Sequence, residues 1–166
     1  MQIRNQSINL EKVTTIDLGS GFTKRGEAVT IDISPDSSAD IIMDISKEKL
    51  PFNDNQLEIV DCHQTIEHLN GKERIFMMNE AYRVLKGGGL MFISCPHYTK
   101  PHAFWDPTHK FPPLLENSFD YFSDKEFIEH LQILYGITAR FKIIKCKQGK
   151  GVDNWQLFVE LRKGFH

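Results

Sequence analysis

Cysteine is scarce in this 166-residue chain: Cys62, Cys95 and Cys146 are odd in number, widely spaced and set in apolar segments. That excludes a disulfide framework and fits a reduced, cytoplasmic setting. Long apolar runs are missing too. Nothing approaches the roughly 20 residues needed to cross a bilayer, and Met1–Leu10 lacks the continuous apolar core of a signal peptide. Charge of one sign is not in excess, since 20 basic residues against 22 acidic ones leave a net charge of -2. No global positive field is available to drive binding to a phosphate backbone, so nucleic acid is not an expected partner. Internal repeats, low-complexity tracts and long linkers are absent. The chain reads as one domain over residues 1–166, with 40% apolar and 25% charged residues.

The pattern that is present alternates short β-rich runs with turns and two helices. Val13–Leu18, Ala28–Ile33, Ile41–Ile45, Leu57–Cys62 and Leu90–Cys95 are strand candidates. A helix is expected over about Lys72–Lys86, with Asn70 as N-cap, Glu73 three positions on, and Gly87-Gly88 as its stop. A second starts at the capping box Ser123-Asp-Lys-Glu126 and stops at Gly136. Thr138–Cys146 and Asn154–Leu161 then form a closing antiparallel pair. Such an order implies a mostly parallel α/β sheet, with ligands bound beyond the C-terminal strand ends. Between the fifth run and the second helix, Pro96–Phe122 is long, irregular and rich in Pro, His and aromatics, as functional segments often are.

The strand ends carry the chemistry. Asp17-Leu-Gly-Ser-Gly21 follows the first run, and its two glycines allow a tight turn. The third glycine of a dinucleotide fingerprint is replaced by Lys24, and an aspartate ahead of the turn disfavours a pyrophosphate while suiting a cationic amino group. Asp32, ending the next run, can accept two ribose hydroxyls. Asp44 can accept from an exocyclic amine, and Ile33 and Ile45 can sandwich a flat base. Together these residues describe an amino-acid end, a ribose and an adenine, with no phosphate.

At these residues the sequence resembles the class I S-adenosylmethionine-dependent methyltransferases, especially their small bacterial type 11-like members. The resemblance spans roughly Thr14–Phe122. It rests on Thr15-Ile-Asp-Leu-Gly-Ser-Gly21, Val29-Thr-Ile-Asp-Ile33, Asp40-Ile-Ile-Met-Asp44, Leu50-Pro-Phe-Asn-Asp54, His63-Gln-Thr-Ile-Glu-His-Leu69 and Glu80-Ala-Tyr-Arg-Val-Leu-Lys-Gly-Gly-Gly89. It implies a Rossmann-like fold with S-adenosylmethionine as cofactor. By that resemblance Asp17, Gly19, Ser20 and Gly21 hold the methionine part, and Asp32 binds the ribose. Asp44 and Ile45 would hold the adenine, with His63 near the methionine carboxylate and the transferred methyl.

Two departures stand out. Only Ser34–Ala39 separates the second run from the third, too little for a helical crossover, so Ile41–Asp44 is expected as a short edge segment with its usual helix missing. Phe22–Glu27 has room for no more than a turn. One sheet face would then be thinly covered, and burial against a second copy of the chain is one remedy. N-terminal helices that roof the substrate in many relatives have no material here, so the roof is expected from residues 96–122.

A small molecule such as a sugar, nucleotide-sugar or other metabolite is the expected acceptor, at oxygen or nitrogen. His97, Asp106 and His109 are the candidate catalytic residues, with Tyr98, Phe104 and Trp105 as pocket walls. His97, His102, Asp106 and His109 have zinc-ligand types, but their spacing matches no ligand signature, and no metal is expected. His102 is expected to face solvent. Glu67-His68 reads as a structural pair at a helix start, and Lys142–Lys150 as a solvated strand edge. Two rivals remain open. One is an RNA or protein methyltransferase acting with a partner subunit; the other is a non-catalytic cofactor-binding or scaffold module.

Overall fold

A computed structural model describes residues 1–165. Its strands are β1 (Gln2–Ile3), β2 (Thr15–Leu18), β3 (Val29–Asp32), β4 (Ile41–Ile42), β5 (Leu57–His63), β6 (Leu85–Pro96), β7 (Phe141–Gln148) and β8 (Gln156–Lys163). They form one sheet in the order β1-β4-β3-β2-β5-β6-β8-β7. Strands β4, β3, β2, β5 and β6 are parallel, and β8 and β7 close one side antiparallel, as the closing hairpin was expected to. From β2 the chain moves outward to β3 and β4, then returns past β2 to β5. The order therefore reverses between β2 and β5, where a crevice opens beyond the strand ends.

The crossover from β5 to β6 is α1 (Gly71–Val84). Its start is the expected one: Asn70 accepts from the amides of Lys72 and Glu73, and the Glu73 carboxylate accepts from the Asn70 amide. The helix ends two residues before Lys86, because Leu85 is already extended and pairs with Leu57 in the sheet. The second helix, α2 (Glu129–Tyr135), is shorter than its sequence pattern. Ser123 donates its hydroxyl to the Asp120 carbonyl at 2.7 Å rather than capping a helix with Glu126, and residues 126–128 form a 3-10 turn instead. Gly136 ends α2 in the left-handed conformation, φ 69°.

Residues 33–40 contain no helix, as their brevity required, yet Ile41–Ile42 still pairs in parallel with Ile31–Asp32. A two-residue strand needs little return distance. It is not the sheet edge, because β1 pairs outside it. Side chains hold this region where a helix is missing. Asp40 accepts from the Thr30 amide and hydroxyl and from Asn5 Nδ2. Arg4 donates to the carbonyls of Pro35 and Ser37.

The core is one-sided. Ile16, Leu18, Val60, Cys62, Met91, Ile93, Cys95, Leu157, Val159 and Leu161 are buried and pack with Met77, Met78, Ala81 and Val84 of α1 and with Phe119 and Phe141. The residues between them on the same strands, including Ile59, Asp61, Phe92, Phe158 and Glu160, are only half-buried. Residues 22–27 form turns, so among the described residues no helix lies on that second face.

Candidate cofactor and acceptor site

Beyond the reversal point lies a cavity of about 380 Å³, within the range of small-molecule sites. It gathers Gly19, Asp32, Ile33, Asp44 and Ile45, five of the residues expected at a cofactor, and adds Gln64, Thr65, His68, Leu69 and Lys110. Asp32 takes the amides of Gly21 and Ser34, one on each carboxylate oxygen, at 2.8 Å. A carboxylate has about four acceptor sites, so lone pairs remain for ligand hydroxyls. Asp44 is more committed: Ser46 donates to Oδ1 through its amide and hydroxyl, and Lys47 donates to Oδ2. Burial alone would raise its carboxyl, but those bonds outweigh burial and hold it below the ordinary value.

Asp17 sits at the C-terminal end of β2 and is fully buried. Neither of its oxygens has a hydrogen-bond partner, and the nearest cation, Arg25 Nη1, is 3.7 Å away. Burial raises its pKa, against the pull of Arg25 and His63. A buried carboxylate without donors is costly, and a ligand ammonium would satisfy it. The Ser20 hydroxyl beside it is also buried without a partner. By contrast, the amides of Gly19 and Ser20 are spent on the Ile31 carbonyl and that of Gly21 on Asp32. Phosphate-binding turns need free amides, and none of these three is free. The turn therefore suits a cationic amino-acid end without a pyrophosphate.

Gly19 has a second reason to be glycine. Its φ is 69°, and a Cβ there would lie 2.2 Å from Thr65 Oγ1. Thr65 occupies that space while donating toward the carbonyls of Leu18, Gly19 and His63. Gln64, beside it in the cavity wall, holds φ at 51°, unusual for a residue with a side chain. Gln64 and Thr65 lie within the His63–Leu69 motif of the resemblance, but nothing in that motif marks them as cavity-wall residues; their signal is position, directly after the strand across the reversal point.

His63 lies elsewhere. Its Nδ1 is 2.9 Å from Ser94 Oγ and its Nε2 3.7 Å from Asp61. It lines a second cavity, on the open sheet face, with Asp61, Phe92 and Lys145. The acceptor-side candidates separate into two places. His97 is buried at the end of β6, with Nδ1 2.7 Å from Thr99 Oγ1 and Nε2 3.1 Å from Glu116. Asp106 and His109 lie together, 3.8 Å apart, against Glu67 and His68. Glu67 is buried in the 3-10 turn 66–68, three residues before α1, and caps no helix; burial pushes its carboxyl up to about 7.

His102 is not exposed as expected. It stacks on Trp155 at 4.8 Å and meets Trp105 at 4.3 Å. Tyr98, Phe104 and Trp105 are exposed and are not among the cavity-lining residues. The segment 96–122 is also less irregular than it reads, with 3-10 turns at 101–103 and 116–122. Arg74 of α1 pins it down, donating to the carbonyls of Ile66, Lys110 and Pro112. Cys62 and Cys95 are buried free thiols whose pKa values burial raises, which makes them inert.

The sheet order and this site define a class I methyltransferase. Residues 4–93 match the family described as "Methyltransferase domain". The chain belongs to that family, whose class I members use S-adenosylmethionine as methyl donor. A chain of the Haloferax volcanii complex between the Trm112 methyltransferase activator and a methyltransferase superposes with a TM-score of 0.64 at 15% identity, covering 94% of this chain and 84% of that one. An S-adenosylmethionine-dependent methyltransferase from Archaeoglobus fulgidus gives 0.59 at 14%, covering 93% and 88%. The 1,6-didemethyltoxoflavin-N1-methyltransferase of Burkholderia thailandensis, with its substrate and S-adenosylhomocysteine bound, gives 0.59 at 11%, covering 91% and 71%. No curated protein sequence matches the chain. Among the described residues no helix is long and apolar enough to cross a membrane.

The cavity's Gly19, Asp32, Ile33, Asp44 and Ile45 fit the cofactor, while Asp17, Ser20, Gly21 and His63 do not line it. The orphaned Asp17 carboxylate would take the methionine ammonium, Asp32 the ribose hydroxyls, and Ile33 and Ile45 the adenine faces, with Asp44 at its rim. When bound, the cofactor supplies an already activated methyl group on a sulfonium.

Proposed function

We propose that this chain methylates an oxygen or nitrogen of a small molecule, of the size of a sugar, nucleotide-sugar or similar metabolite. The observation that carries the reading is Asp17: a buried, donor-less carboxylate ahead of a turn with no free amides. It supports a ligand with a cationic amino-acid end and a nucleoside, which is the cofactor's shape. Because the methyl is activated, the protein's task is to align the nucleophile, which is worth up to roughly 7–11 kcal/mol in favourable cases. A proton acceptor is needed where the nucleophile arrives as a hydroxyl or ammonium. Among the three candidates, His109 with Asp106 stands nearest the cofactor cavity, through its ring contact with the wall residue His68. His97 would have to break one of its two internal contacts to act.

One domain, with residues 96–122 covering the acceptor, accounts for this arrangement. The small-molecule reading is supported by the net charge of -2 and by the placement of Lys142, Lys145 and Lys147 on an exposed edge strand, where they are solvated and discourage edge pairing. Calorimetry with S-adenosylhomocysteine tests the cofactor half: no heat at millimolar ligand overturns it. Transfer of label from methyl-labelled S-adenosylmethionine into a metabolite extract, and not into RNA or protein fractions, tests the acceptor half.

A second reading is favoured by one observation, the Haloferax complex with a methyltransferase activator. Here the chain would act with a protein subunit on RNA or protein. Label appearing in the RNA or protein fraction would support this reading.

A further inference from the structure

One cluster beside the cofactor cavity has more ligand atoms than hydrogen bonds. Where the 3-10 turn 66–68 meets residues 106–110, Glu67, His68 and His109 each bring one ligand-type atom, all within 4.8 Å of one another. Glu67 is 6% exposed, and its Oε2 has no partner. The His109 side chain is 11% exposed, and its Nδ1 is also buried without a partner. The two imidazole rings approach to 4.9 Å at 68°. Arg74, the neighbouring buried cation, spends its guanidinium on three backbone carbonyls.

A carboxylate oxygen and an imidazole nitrogen left bare in the same buried spot are costly, and native structures rarely leave such groups unsatisfied. A cation bound within this cluster would give both a partner, together with His68. Two imidazoles and a carboxylate are a donor set for zinc and related first-row divalent ions, in sites that keep positions open for a further ligand. Of the groups that orient such ligands, Thr108 is within hydrogen-bond distance of His68, and Asp106 is near His109 without bonding it. Asp106 Oδ2 lies 3.8 Å from His109 Nε2, on the side away from the bare Nδ1. Thr108 donates its hydroxyl to Asp106 Oδ1 at 2.6 Å and stands 2.9 Å from His68 Nδ1. The backbone joins the two halves, with the Lys110 amide donating to the Glu67 carbonyl at 2.8 Å. The opposing feature is the Lys110 side chain, which is exposed and free to turn to solvent.

We propose that Glu67, His68 and His109 bind one divalent transition-metal ion of the zinc class, with Asp106 and Thr108 as the residues that hold the ligands. His68 also lines the cofactor cavity, so the ion would lie at the wall of that cavity. Use of the ion as an acceptor clamp rests on the small-molecule reading above; the binding itself does not.

The test uses the full chain, stripped with chelator and titrated with zinc chloride alone, with metal content read after dialysis. One ion per chain is expected. Glu67→Gln and His109→Ala should each weaken binding by at least about 100-fold, and Thr108→Ala by about tenfold. Cobalt(II) added to the unmutated chain gives a second readout. Visible d–d bands of a four- or five-coordinate site are expected, and this needs no variant to fold. Failure of the wild type to retain zinc, or the featureless weak spectrum of hydrated cobalt, overturns the proposal. So does unchanged affinity in folded Glu67→Gln and His109→Ala. S-adenosylhomocysteine affinity measured on the same samples separates the two ideas. Metal without nucleoside binding sinks the methyltransferase reading alone, and nucleoside without metal binding sinks this one alone.

Discussion

Burial raises the Asp17 carboxyl, Arg25 and His63 pull it down, and Asp61 pushes it up. A carboxyl whose folded pKa exceeds its unfolded value binds more protons in the native state, so its stabilising contribution is full at low pH and is lost as pH rises through the folded value. Melting of the ligand-free protein from pH 4 upward should show that loss, and Asp17→Asn should remove that component of the slope. The same substitution should weaken S-adenosylhomocysteine binding by tenfold or more, about 1.5–3 kcal/mol for a lost charge-assisted bond; equal affinity in calorimetry would refute the assignment. Gly19 and Gly21 separate two causes of glycine. Both have positive φ, but only Gly19 faces Thr65. Gly19→Ala is expected to cost roughly 2–3 kcal/mol, from overpacking plus strain, and Gly21→Ala about 1 kcal/mol from strain alone, in urea unfolding. The strand-end positions of Asp17 and Asp32 were legible because each closes a β-branched run, although Asp32 also caps its turn by taking the Gly21 and Ser34 amides. Glu67 and His109 were not legible as a pair, since they meet only through the path of 96–122 and the grip of Arg74.

Between β4 and β5 the chain has no helix, and α1 does the holding. Glu80 accepts the Leu50 amide and takes two bonds from Arg83, which also donates to the carbonyls of Leu50 and Phe52 and to Asp54. The Glu-x-x-Arg spacing that carries part of the family resemblance is thus a clamp on Leu50-Pro-Phe52. Arg83→Met should cost roughly 3 kcal/mol, because it leaves Glu80 buried with only the Leu50 amide. Adding Glu80→Gln should cost much less than the sum of the singles, as expected for residues in one network. Urea midpoints of the four proteins decide; additive losses would mean that the clamp is not a unit. At this scale the strands and α1 followed from periodicity and capping residues. The first turn of α2 did not, because a Ser-x-x-Glu spacing says nothing of the Asp120 carbonyl that claims the serine hydroxyl.

Across the whole molecule the sheet is fully covered on one side and only in part on the other, where Asp17, Thr30 and Ser94 are buried but Asp61, Phe92, Phe158 and Glu160 are half-exposed. Paired residues of neighbouring strands share a face, so Asp17 with Asp61, Phe92 with Glu160, and Ser94 with Phe158 belong to the side away from α1. That face has Phe92 and Phe158 lining one cavity together with Lys145, Asp61 and Glu160. Apolar centres ringed by both signs of charge can pair with a copy of themselves, whereas a face of one sign would repel it. A second copy of this chain is the occupant such a face would suit, and the test is its oligomeric state. A specific dimer of ordinary size buries about 800 Å² on each partner, an area a sheet face can supply. Light scattering at micromolar concentration should give twice the mass of 19.2 kDa. Phe92→Asp should return it to the single-chain mass while leaving the opposite, α1-covered core intact, as read by circular dichroism. Charge pairs at the rim would make association salt-sensitive, and its apolar centre would not, so raised salt should shift the equilibrium only partly. A wild-type monomer throughout the micromolar range would leave this face to some other partner and end the dimer reading.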